Sequence, residues 1–150
     1  SVPGDFVQLD GTKVGRHRGA QFYTLGQRKG LGLGGPGDRW FVVDKDLKSN
    51  RVYVERGEHP RMFSSSLVAT EVVGDWPDAA RLDCPSTAKI RYRQTDQACR
   101  AWLDASGQLR VEFKEPQRSI SPGQSVVLYE KDICLGGGVI QQSGPPLDTL

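Results

Sequence analysis

Apolar and polar residues alternate in short runs along most of this 150-residue chain, the period of two that half-buried β-strands require. The run "DFVQLDGTKVG" (5–15) alternates on either side of Asp10-Gly11, a strong short-hairpin signal. "RWFVVDKDLKSNRVYVERG" (39–57) predicts a second hairpin, with a strand at 39–45, a polar turn over Leu47–Asn50 and a strand at 51–56. Between them, "GAQFYTLGQRK" is the one place where a short helix fits, over Gln21–Gly26.

The pattern changes after "GEHPRMFSSS", where Pro60 and a serine triplet mark a boundary near 60–66. Short strands are predicted beyond it at 67–73, 86–93, 97–104, 108–114, 124–130 and 133–141. Turn residues separate them: "DASGQ" (104–108), "SPGQ" (121–124) and "EKD" (130–132). Six strands at this spacing fit a small closed barrel better than an open sheet, because closure removes exposed edges. The expected fold class is all-β: a small β-rich domain over 1–63, a six-stranded β-barrel over 64–142, and a disordered tail, "SGPPLDTL", over 143–150.

Composition narrows the function classes. No run approaches the roughly 18 apolar residues of a membrane-spanning helix. The chain opens Ser1-Val2-Pro3 and its one methionine is Met62, so it reads as a piece of a longer protein. Cys84, Cys99 and Cys134 are odd in number, widely spaced and without a C-x-x-C, which fits buried, reduced thiols of a cytoplasmic protein. His17 and His59 lie far apart with no clustered cysteine, so no metal site is expected. The net charge of +2 is uneven: residues 1–63 carry 11 Lys and Arg against 7 Asp and Glu, and the remainder carries 9 against 11. The first part is therefore mildly basic, which permits a polyanionic partner.

Three stretches bear on chemistry. Gly30-Leu31-Gly32-Leu33-Gly34-Gly35 satisfies G-x-G-x-x-G literally, but Pro36-Gly37 and a strand follow it, not a helix that could offer its N-terminus to a pyrophosphate. Its glycines are read as turn geometry, while Arg16, Arg28 and Lys29 remain candidates for phosphate contact. In "KIRYRQTDQACR" (89–100), a strand would place Lys89, Arg91 and Arg93 in one row at roughly 7 Å spacing, matched to a phosphate backbone. The other reading of that row is a solvated face paired with Asp96, Glu112 and Glu115. "DICLGGGVI" (132–140) sets three glycines beside an apolar strand, a bulge or barrel corner, and Cys134 there lacks any activating histidine.

"GRHRGAQFYTLGQRKGLGLGG", "FVVDKDLKSNRVYVERGEHP", "LVATEV", "AKIRYRQTDQACR" and "VEFKEPQRSISPGQSVVLYEKDICLGGGVI" occur in this order, and together they resemble the C-terminal part of the bacterial tRNA-specific 2-thiouridylase family (MnmA/TrmU). The resemblance runs from about Gly4 to Ile140. It implies a small central β-rich domain followed by a barrel like the second domain of elongation factor Tu. It also implies that ATP, with magnesium, binds an N-terminal PP-loop domain absent here. The family thiolates the wobble uridine (U34) of tRNA at C2 with sulfur from a persulfide carrier. The S-G-G-x-D-S loop of that domain is absent, and none of Cys84, Cys99 and Cys134 falls in its cysteine motifs, so no catalytic residue is expected in this chain. By position, the resemblance implies tRNA contacts at Arg91, Tyr92 and Gln124, with Arg28, Lys29 and Arg93 as weaker candidates. The expected partners are tRNA and a persulfide sulfur-relay protein, with no membrane and a monomeric state. The alternative is a barrel that docks the sulfur-relay protein without touching RNA.

Overall fold

The computed structural model of the chain describes residues 1–74, 84–91 and 94–149. The chain divides into two compact units, Ser1–Met62 and a second beginning at Phe63. Both are built from strands, with three short 3-10 turns and no α-helix among the described residues.

The first unit is a four-stranded sheet in the order β2-β1-β4-β3. Strands β1 (Gly4–Val7) and β2 (Lys13–His17) form the first expected hairpin, and β3 (Trp40–Asp46) and β4 (Arg51–Arg56) form the second. Strands β1 and β4 join the hairpins in parallel, with Asp5 opposite Arg51. Asp10 sets the first turn by accepting the Thr12 N–H at 2.9 Å, and Gly11 takes φ 92 there. Phe6, Ala20, Tyr23, Leu31, Val42 and Val52 supply most of the core.

Asn50 holds the pieces of this unit together. It ends the β3–β4 turn at φ 55, a conformation asparagine tolerates better than most residues. Its Oδ1 accepts the Ala20 N–H at 2.9 Å, its Nδ2 donates to Val2 O at 2.7 Å, and its carbonyl accepts from His17 Nε2 at 2.9 Å. Buried His17 also accepts the Gly19 N–H through Nδ1 at 3.0 Å, which assigns the ring proton to Nε2. Its ring stands edge-on to Phe6 and Tyr23, at centroid distances of 5.2 and 5.5 Å.

The helix expected over Gln21–Gly26 does not form. A single 3-10 turn, Ala20–Phe22, stands at its start. The chain then runs along β3, where Gly26 N–H donates to Val42 O at 2.8 Å and Val42 N–H donates to Gln27 O at 2.9 Å. Pairing with β3 takes the backbone groups that a helix would have used internally.

The second unit is a closed barrel of six antiparallel strands in the cyclic order β10-β5-β8-β7-β6-β9. They are β5 (Phe63–Gly74), β6 (Cys84–Lys89), β7 (Gln97–Leu103), β8 (Leu109–Arg118), β9 (Ser125–Glu130) and β10 (Ile133–Ser143). Leu109, Val111 and Phe113 alternate inward from β8 and meet Val126 and Leu128 of β9 and Leu67 and Ala69 of β5. Strand β6 ends at Lys89, so Lys89 and Arg91 do not share a strand as expected; Arg93, the third member of the expected row, lies outside the described residues. The tail also departs from the expected disorder. Gly144 N–H donates to Ser66 O at 2.8 Å, Pro146 bridges to Ser64, and Leu147–Thr149 make a 3-10 turn.

Closure depends on the glycines of β10. A Cβ on Gly137 would sit 1.9 Å from Val126 O, and one on Gly136 would sit 2.1 Å from Val73 O at φ 129. Gly137→Val should therefore cost more than about 4 kcal/mol or abolish folding. Chemical denaturation of the chain checks this, and an unchanged midpoint would show that the barrel can close by another route.

Asp104 fixes the β7–β8 turn. Its Oδ1 accepts from Ser106 Oγ at 2.7 Å and from the Ser106 and Gln108 N–H groups at 3.0 Å, and its Oδ2 accepts from Arg110 Nε at 3.0 Å. The Ser106 hydroxyl above all, with Arg110 and the two amides, holds the Asp104 carboxyl down to about 2. Because the folded value lies below the ordinary 3.8, this clamp is fully present above about pH 4 and is lost as pH falls toward 2. Amide exchange at Ser106 and Gln108, corrected for intrinsic rates, should accelerate across that window and not in Asp104→Asn.

Candidate nucleic-acid interface

The two segments singled out by sequence, "RYRQ" and "PGQS", are brought together by the pairing of β6 with β9. Lys89 lies opposite Val127 in that antiparallel ladder, so the residues after β6 run beside the residues that open β9. An open groove of about 650 Å³ results, lined by Lys89, Arg91, Gln124, Ser125, Val127 and Tyr129. Arg91 and Gln124 thus share one site although 33 positions separate them in sequence. Tyr92 and Arg93 lie outside the described residues.

Each lining side chain has a local cause. In β9, Val126 and Leu128 point into the core, so alternation turns Ser125, Val127 and Tyr129 to the other face. Gln124 closes the predicted turn: Gly123 takes φ 90 behind Pro122, and the Gln124 carbonyl accepts the Ile140 N–H at 2.7 Å. Its backbone is thereby locked to β10 while its side chain stays exposed, with no hydrogen-bond partner among the described residues.

Arg91 is braced from behind. Its Nη2 donates to the carbonyls of Arg118 and Ser119, the latter at 3.2 Å, and its Nη1 and Nε donate to no acceptor among the described residues. Burial, and then the charge of Arg118, push the Arg91 guanidinium below its ordinary value. A cation set beside a like charge at the edge of a groove is a favourable place for an anion to bind. Lys89 is partly committed, 3.4 Å from Asp96 and 5.6 Å from the centre of the Tyr129 ring, so the paired-face reading of this stretch holds for Lys89.

A glutamine relay sets the conformation of the loop that carries Arg91. Gln94 Oε1 accepts the Ile90 N–H at 3.0 Å, and Gln94 Nε2 donates to Oε1 of buried Gln117 at 2.7 Å. Gln117 Nε2 in turn donates to Gln97 Oε1 at 3.1 Å and to Glu115 O at 3.0 Å.

Sequence reasoning missed Tyr129 and this relay. The alternation within "SVVLYE" was the available signal for Tyr129; nothing local marks Gln117, which acts through residues 20 and 23 positions away. Of the remaining candidates, Arg28 and Lys29 are exposed in the first unit, whereas Arg16 is engaged with Asp5 at 2.8 Å. Cys99 is buried, which pushes its thiol up, and Cys134 is exposed, unlike the buried thiol expected there. Among the described residues, no group of three or more His, Cys, Asp and Glu could hold a metal ion, and no helix is long and apolar enough to cross a membrane.

Comparison with known proteins defines first a class. The family model described as the tRNA methyl transferase PRC-barrel domain matches residues 1–56, and that described as the aminomethyltransferase beta-barrel domain matches residues 69–140. A curated protein of Protochlamydia amoebophila named tRNA-specific 2-thiouridylase MnmA is 50% identical over 145 residues, covering 95% of this chain and 38% of that protein. Proteins of the same name from Alkaliphilus oremlandii and Staphylococcus aureus are 48% and 49% identical, over 93% and 92% of this chain and 39% and 38% of their own lengths. The chain belongs to the MnmA family, as a C-terminal portion of it, and spans less than half the length of the curated relatives it matches.

Gln117→Leu should lower stability by about 2 kcal/mol, since it strands two glutamine side chains and a carbonyl. It should also speed amide exchange at Ile90. Stability loss without faster exchange at Ile90 would show that the relay does not hold this loop.

Proposed function

We propose that this chain is the tRNA-docking part of an enzyme that thiolates the wobble uridine (U34) of tRNA. On this reading, ATP activation of the uridine and sulfur delivery by a persulfide carrier belong to the part of the relatives that this chain does not span. The observation that carries the reading is the meeting of Arg91 and Gln124 on one groove, in a family whose members are named for action on tRNA. Charge, an amide with donors and an acceptor, and the ring of Tyr129 are what an RNA strand needs: phosphate pairing, edge hydrogen bonding and a stacking face. Tyr92 and Arg93, adjacent to Arg91 in sequence, are proposed to extend the same contact.

The described lining offers two cations, an amide, a hydroxyl and an aromatic ring, the groups that bind an RNA strand. The chain by itself is accordingly expected to bind tRNA and not to thiolate it. Phosphate contacts fix register, so the uridine is presented to residues elsewhere in the enzyme.

The chain should bind an unmodified tRNA transcript with an affinity that falls steeply with salt. Arg91→Ala and, separately, Gln124→Ala should each weaken binding about tenfold. Filter binding at several salt concentrations measures both; Gln124→Ala leaves the Arg91 brace in place and so separates contact from folding. Unchanged affinity in both variants, with a persulfide carrier protein still captured, would replace this reading with protein docking.

A further inference from the structure

The glycine-rich stretch of the first unit forms an open cleft of about 410 Å³, lined by the backbone from Gly30 to Gly35 and by Arg28, Lys29, Asp38, Arg39 and Arg56. Four cations thus face one carboxylate. Arg56 is used up structurally: its Nη1 donates to Asp38 O at 2.8 Å, its Nη2 donates to Gly34 O at 3.0 Å, and its guanidinium lies 4.3 Å over the Trp40 ring. Trp40 Nε1 also donates to Gly34 O, at 3.1 Å. These contacts brace the loop by its carbonyls. Arg28, Lys29 and Arg39 are exposed and make no side-chain ion pair or hydrogen bond among the described residues. Gln27 poises the first two, accepting the Thr24 N–H at 3.0 Å and donating to Lys29 O at 2.9 Å.

The backbone supplies a second, independent observation. The N–H groups of Gly32, Leu33, Gly34 and Gly35 donate to no protein acceptor among the described residues. Gly34 is not one of the glycines held at positive φ, and a Cβ added to it would meet nothing within 4 Å. Neither backbone conformation nor packing therefore requires glycine at that position. A bare stretch of unpaired amides between free cations is what a phosphate group approaches closely.

We propose that this cleft is a second phosphate site, built to take the RNA backbone. Arg28, Lys29 and Arg39 supply the charge, and the amides around Gly34 supply direct hydrogen bonds. RNA backbone is favoured over a free nucleotide because Arg56 already covers a face of Trp40, the aromatic ring lining the cleft. The proposal rests on the tRNA-docking reading above and adds to it a contact in a different unit of the chain.

Gly34→Val tests it, because open space around Gly34 leaves the fold intact while a side chain blocks close approach. The variant should melt with the parent and bind an unmodified tRNA transcript about tenfold more weakly. Arg39→Ala should flatten the dependence of log affinity on log salt by roughly 0.7–0.9, one phosphate contact. Unchanged affinity and slope in both variants, with Arg91→Ala still impaired, would overturn the cleft and leave the docking reading standing. Failure of the parent chain to bind tRNA at all would overturn both. Calorimetric binding of ATP that Gly34→Val abolishes would reassign the cleft to a free nucleotide and overturn the RNA proposal.

Discussion

The barrel closes because two pairs of backbones approach more closely than any side chain allows. Strand β10 is hydrogen-bonded on one edge to β5 and on the other to β9, with Gly136 opposite both Gly74 and Leu128, and Gly137 opposite both Val73 and Val127. A Cβ on Gly74 would lie 2.2 Å from Leu135 O, mirroring the contact from Gly136 across the pair. Register shifts on either side of this run bend the strand where the barrel turns its corner. Closure is thus a steric condition met by absent atoms.

The candidate interface inherits that condition. The groove exists only because β9, held by β10 on one side, pairs with β6 on the other and so fixes where the chain emerges after Lys89. Beyond buried Ile90, polar side chains hold the described part of the loop. Gln94 captures the Ile90 amide, buried Gln117 captures Gln94, and the carbonyls of Arg118 and Ser119 capture one edge of Arg91. An arginine pinned through one nitrogen keeps its remaining donors aimed with little rotamer entropy to lose on binding.

Strands and turns were legible because their causes are local. Alternation located every barrel strand to within a few residues, and Asp10-Gly11 and Pro122-Gly123 announced their turns. The errors fall where a distant partner overrides local pattern. Val42 of β3 takes the backbone of 26–27 and cancels the short helix; past Lys89, Gln94 takes the Ile90 amide and Gln117 holds Gln94, so Arg91 does not continue β6. The tail "SGPPLDTL" has the composition of a disordered end, yet Ser66 and Ser64 of β5 offer it backbone pairing that composition does not reveal. The arginine and glutamine of the interface were named through family resemblance; their meeting on one groove follows from strand pairing alone.

Charge and glycine content misled when counted and informed when located. The excess of cations in residues 1–63 shrinks once Asp5 is seen between Lys13 and Arg16, Asp44 beside Arg61, and Arg56 over Trp40. Of the cations that are left, Arg28, Lys29 and Arg39 gather at one cleft. The glycines divide in the same way. At 136–138 the fold leaves no room for a side chain, so packing explains them completely. At 34 the fold leaves room, and the glycine is unexplained until something outside the chain is brought to its backbone. The two cases read alike in sequence, and only the space around a missing Cβ separates a glycine kept for folding from one kept for a ligand.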